Sequence, residues 1–184
     1  MRRSRFVPAV VGASATVVAL SLAAPAARAQ DAPASFRGEF LQQFDYAMSR
    51  VVALAEALPA EKYASRPAAG VMPLARVYAH IARFNYHYPA TAMGVAAPPG
   101  IDPDTLERVA DKAQLLPLLR ASAEHVRQAV RRMPEAQLAR PTVLYGRRVP
   151  QWAVLLQLVA HMNDHLGQSI AYARVSGVVP PWSR

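Results

Sequence analysis

The chain has 184 residues, 21 of them basic against 12 acidic, with a formal net charge of +9 and no cysteine. The missing cysteines exclude a disulfide framework, a thiolate-ligated zinc site and a cysteine nucleophile. The basic residues are scattered, without the aromatic interleaving of a single-strand binder, so nucleic acid is not an expected partner.

Arg2, Arg3 and Arg5 precede an uncharged run over residues 6–27, and Ala27, Arg28 and Ala29 close it with a small-x-small pattern. This order reads as a secretory signal peptide over residues 1–29, cleaved after Ala29. The competing reading keeps the run as a membrane anchor, since it is long enough to span about 30 Å of hydrocarbon. Pro25 and the alanine-rich end favour cleavage, while Phe6 lies one place too far along for the twin-arginine motif. Four of the basic residues and none of the acids fall in this leader, which leaves the remainder at about +5. Residues 30–184 then form a single domain, periplasmic or secreted, large enough for a sizeable core. No later apolar run is long enough to span a membrane, so no membrane contact is expected after cleavage.

Four segments carry helical periodicity. In the first, Phe36, Phe40, Phe44, Ala47, Val51, Leu54 and Leu58 form one apolar stripe, with Ser35 as the expected N-cap and Pro59 as the stop. The second runs from Pro73 to about Met93, with Val77, Ile81, Phe84 and Tyr88 on one face. The third runs from about Asp111 to Met133 and carries Leu115, Leu119, Val126, Val130 and Met133, with Pro117 near its first turn. The fourth runs from about Pro150 to Ser176 with Leu155, Leu158, Met162, Leu166 and Ile170, and stops at Gly177.

The one strand signal is a hairpin or turn around residues 142–149. The expected fold is all-α, a four-helix bundle. Its links over residues 59–72, 94–110 and 134–149 are long for a simple up-down bundle, which implies at least one crossover and loops free to wall a pocket. Asp102, Pro103 and Asp104 mark the start of an extra short helix in the second link.

His161 and His165, four residues apart in the last helix, fall about 40° apart on the helical wheel, at the edge of the core stripe. His80 borders the core face of the second helix in the same way. Three neutral imidazoles from two helices would form an open metal site, and no anionic partner competes for them. Spacing alone leaves metal binding and ordinary hydrogen-bonded packing both open.

His87 is a pocket residue or an alternative ligand, and Gln168 and Tyr172 are candidates to line the same cavity. No obvious general base accompanies the histidines; Asp164, beside His161, is the candidate, with a plain helix-face carboxylate in water as the alternative. His125 points away from the apolar stripe and reads as a solvated surface residue. There is no H-E-x-x-H, no glycine-rich phosphate loop and no G-x-S-x-G elbow.

The end of the chain, His161, His165, Gly167, Gln168, Tyr172, Arg174, Gly177, Pro180 and Pro181, resembles the closing pattern of the DinB/YfiT-like metalloenzyme family. Pro73 and Leu74 with His80, Ile81 and Ala82 resemble its second helix, and Leu119 to Val126 its third. The likeness runs from about residue 36 to 183. It implies a DinB-like four-helix bundle in which His80, His161 and His165 hold a divalent ion such as zinc, nickel or iron. Some members of the family are thiol S-transferases and others hydrolases; export weakens the thiol reading, because cytosolic thiols are scarce outside the cell.

The resulting expectation is an exported, metal-dependent hydrolase or transferase acting on a small-molecule substrate of unknown identity, with a homodimer as the assembly to look for. Its rivals are a non-catalytic bundle in which a metal only stabilises the fold, and a membrane-tethered interaction domain.

Overall fold

The computed structural model describes residues 35–183, so the leader expected over residues 1–29 lies outside the described residues. Helix α1 (Phe36–Ala57) begins where Ser35 Oγ accepts from the Gly38 N–H at 3.1 Å, and it ends two residues before Pro59. Helix α2 (Leu74–Met93) follows Pro73 and closes on Gly94, whose left-handed φ of 71° a side chain would oppose.

Helix α3 (Lys112–Arg132) is capped by Asp111, whose carboxylate accepts from the Gln114 N–H at 3.0 Å. Pro117 lies in its second turn rather than its first, where its missing N–H leaves the Ala113 carbonyl without a helical partner. A short helix α4 (Glu135–Leu138) leads to an antiparallel hairpin of β1 (Pro141–Leu144) and β2 (Arg147–Pro150). Helix α5 (Gln151–Val175) completes the bundle and turns at Gly177.

The links are not bare loops. The first holds a 3-10 turn at Ala60–Lys62 and the second another at Leu106–Arg108. The second is the extra short helix expected in that link: turns opening at Asp102, whose Oδ1 accepts from the Asp104 N–H, run directly into it.

The four long helices close a ring in which α1 sits diagonally from α2, and α3 from α5. Ion pairs of Arg127 with Asp45 and of Arg120 with Glu56 show that α1 and α3 run antiparallel. Contacts of His161 with Tyr88 and of His165 with His80 show the same for α2 and α5. Helices α2 and α3 run parallel, so the link between them must return the full length of the bundle. It does so along α2, where Arg83 pairs with Asp104 and Arg76 with Glu107. This is the crossover that the link lengths imply, and it carries Glu107 to the middle of α2.

The core is a continuous apolar cluster drawn from all four long helices, including Phe44, Val51, Leu54, Val77, Ile81, Leu119, Val126, Leu155 and Leu158. One polar pair lies within it: Asn85 Nδ2 donates to Ser122 Oγ at 3.0 Å, both residues buried. Among the described residues no helix is long and apolar enough to cross a membrane.

Candidate metal centre

The antiparallel packing of α2 on α5 sets His80 opposite the turn that carries His161 and His165. One ligand-capable nitrogen from each of the three lies within 4.8 Å of the others, and all three rings are half-buried. His80 Nε2 and His161 Nε2 face each other at 3.2 Å. The ring centres stand 5.0 Å apart for His80 and His161, 4.7 Å for His80 and His165, and 4.6 Å for His161 and His165.

The outward nitrogens of two rings are held. His80 Nδ1 lies 2.7 Å from Glu107 Oε1, and His165 Nδ1 lies 2.8 Å from Gln168 Oε1. Both oxygens can only accept, so each Nδ1 carries the proton and each Nε2 presents a lone pair inward. Gln168 is fixed in turn by donating to Tyr172 Oη at 3.0 Å. Lone pairs converging at 3.2 Å repel unless a proton or a cation sits between them. Three neutral imidazoles backed by a carboxylate and an amide form a donor set that fits a borderline divalent cation.

Electrostatics favour the neutral ligands. Burial, then the nearby His165 and His80, push His161 down to about 3. Burial also lowers His80, with His165 and Arg83 adding to it and Glu107 opposing. For Glu107 burial works to raise the pKa, but the hydrogen bonds and charges of His80 and Arg76 win and hold it below the usual carboxylate range. It is therefore ionised at neutral pH. Arg83 Nη1 adds a longer contact at 3.3 Å.

The remaining candidates separate clearly. Gln168 and buried Tyr172 belong to the site, as residues that orient His165. Asp164 is exposed and makes no side-chain hydrogen bond or ion pair among the described residues; the carboxylate at the centre is Glu107. That also corrects the expectation that no anion approaches the histidines. Glu107 lies 27 residues from His80 in sequence, in a link, and only its place on the returning crossover brings it near.

His87 is outside the three-histidine group and packs edge-on against Phe84 at 5.3 Å. His125 is not a solvated surface residue. It packs on Tyr86 at 5.0 Å, its Nε2 is buried without a partner among the described residues, and burial lowers its pKa.

Aromatic rings flank the centre. Phe84 lies 4.4 Å from His161 and 4.6 Å from His80, while Tyr88 stands edge-on to His161 at 5.9 Å. Burial, then the hydrogen bond with Tyr145, raises the Tyr88 pKa, so it remains a neutral phenol.

A family model described as the DinB superfamily matches residues 43–169, a span that includes the three histidines and Glu107. No curated protein matches the sequence. Among solved structures, a DinB-like protein from Bacillus cereus aligns with a TM-score of 0.68 at 21% identity, over 77% of this chain and 93% of the other. A DinB-like protein from Bacillus subtilis aligns with a TM-score of 0.60 at 22% identity, over 76% and 92%. A mycothiol-dependent maleylpyruvate isomerase aligns with a TM-score of 0.57 at 15% identity, over 71% of this chain and 59% of the isomerase.

Proposed function

The chain belongs to the DinB superfamily, and on that premise we propose that it is an exported metal-dependent enzyme, a hydrolase or transferase acting on a small molecule, with His80, His161 and His165 as the metal ligands. The observation that carries the reading is the convergence of three imidazole nitrogens within 4.8 Å, two of them with their opposite nitrogens held by Glu107 and Gln168. A divalent ion in such a set supplies Lewis acidity and lowers the pKa of a bound water.

The chain's own residues then have defined tasks. Glu107 holds the His80 ring and its tautomer, and its negative charge makes Nε2 the better donor. Gln168, anchored on Tyr172, does the same for His165 without charge. Phe84 and Tyr88 exclude water from one side of His161. Three protein ligands would leave room on a bound ion for substrate or water, the pattern of catalytic rather than structural zinc.

The likeness to the mycothiol-dependent isomerase supports keeping thiol-dependent chemistry among the reactions considered for this fold. The export expected from residues 1–29 would weigh against a thiol reaction, because thiol cosubstrates are scarce outside the cytosol. A second reading, a metal that only joins α2 to α5, draws support from the ligands' placement on two neighbouring helices.

Metal content of the purified protein, measured beside His161→Ala, tests the site. The wild type should carry close to one equivalent and the variant much less; equal content in both would defeat each metal reading. Loss of thermal stability on chelation, with no activity in a hydrolase or transferase screen, would favour the structural role.

A further inference from the structure

A row of aromatic rings leads away from the histidines to the tip of the hairpin. Phe84 packs on His161, His87 stands edge-on to Phe84 at 5.3 Å, and Tyr88 lies 5.0 Å from Phe84. Tyr145 follows, edge-on to Tyr88 at 6.4 Å, with the two hydroxyls hydrogen-bonded. Tyr88 is buried and forms the floor, whereas Phe84 and His87 are half-buried and Tyr145 is 66% exposed. Among the described residues one cation stacks on the row, Arg83 over Phe84 at 5.0 Å, and it is already paired with Asp104 and Glu107.

Tyr145 is in an unfavourable place for a tyrosine. With Gly146 it forms the two-residue turn of the hairpin, at φ of 50° and 73°, where Asn, Asp or Gly is the usual first residue. It is the one non-glycine residue with positive φ among the described residues. An L-residue in that region is disfavoured by contact between Cβ and backbone. Turn chemistry does not call for this side chain, and although its hydroxyl meets that of buried Tyr88, the residue is mostly in solvent and adds little to the core. Backbone held in costly conformations gathers at ligand sites.

Resting on the metal-centre reading above, we propose that this aromatic row is the subsite for a planar, apolar part of the substrate, with Tyr145 as its outer specificity-determining residue. The substrate class is an aromatic compound bearing an oxygen-rich head group. The head lies at the three histidines, and the ring lies along Phe84 and His87 over the floor made by Tyr88. Tyr145 closes the far end.

Two hydroxamates separate head from body. Acetohydroxamate carries only the metal-binding group, and benzohydroxamate adds one aromatic ring. Dissociation constants for both are read from the visible absorption of the cobalt-loaded protein, for the wild type, Tyr145→Gly and Tyr145→Phe. Glycine suits the left-handed turn, so the first variant keeps the hairpin.

Tyr145→Gly should weaken benzohydroxamate by about fivefold, the scale of one aromatic contact, and move acetohydroxamate by less than about twofold. Tyr145→Phe should keep benzohydroxamate within about twofold of the wild type. An unchanged ratio of the two affinities in Tyr145→Gly overturns the subsite while leaving the metal centre standing. Failure of the wild type to take up cobalt overturns the metal reading first, and the subsite with it.

Discussion

Replacing Glu107 with glutamine tests whether the crossover link helps to hold the metal. The change keeps shape and an acceptor oxygen but removes the charge 2.7 Å from His80 Nδ1. A hydrogen bond to a charged group contributes about 1.5–3 kcal/mol and a neutral one about 0.5–1.5 kcal/mol, so the substitution removes roughly 1–1.5 kcal/mol, about tenfold in affinity. That falls at the low end of the roughly 10- to 100-fold range for residues behind a metal ligand. Arg76 and Arg83, deprived of their shared partner, push in the same direction by opposing a cation nearby. The assay is competition with a chromophoric zinc chelator at about pH 7.5, where unperturbed histidine is neutral, with circular dichroism to confirm folding. Arg76→Gln is the control: its pair with Glu107 Oε2 is half exposed on the arginine side and should matter far less. If Glu107→Gln binds zinc within about twofold of the wild type while His161→Ala loses it, the proposed role of Glu107 is refuted.

Acid should unfold the metal-free protein through His161. The folded value is about 3 against about 6.5 unfolded, so the stability from the neutral ring is complete above about 6.5 and is lost as pH falls toward 3. Urea midpoints should therefore drop between about pH 7.5 and 5, with a limiting slope near 1.4 kcal/mol per pH unit from this residue; a flat profile would contradict the burial argument. Ser122→Ala leaves the buried Asn85 amide with only the long contact to Met48 Sδ at 3.9 Å and should cost about 1–3 kcal/mol in urea unfolding; a change below about 0.5 kcal/mol would show that this contact or another partner suffices. N-terminal sequencing of the exported product should start at Gln30, and an intact Met1 would support the anchor instead.

The four long helices were legible because each carries both a stripe and stops. The Ser35 and Asp111 caps, with Pro59, Gly94 and Gly177, stand where the apolar period begins or ends. His161 and His165 were legible for the same reason, since a four-residue step shares one helix face. Convergence with His80 depends on the α2–α5 register, which periodicity leaves open; the family resemblance, not spacing, joined them. Glu107 was not legible at all. It sits in a link without periodicity, and its partner is chosen by a crossover whose path is a tertiary property. Asp164 had the opposite fault, near in sequence but on the solvent side of α5. His125 was misread because a single stripe underestimates a helix that packs on two neighbours, and Tyr86 of α2 covers it.

His80 and His161 are separated by 81 positions, most of the folded domain. An ion gripping both would close that stretch into a ring in the folded state and, unlike a disulfide, would be released as the chain unfolds, so its binding free energy would add to the folding free energy. At free metal about 1,000 times the dissociation constant, that linkage contributes about 4 kcal/mol, a large fraction of a typical domain's stability. A chain with no cysteine has no covalent route to such a crosslink. Metal supply would then govern how long the protein stays folded, independently of any reaction it performs.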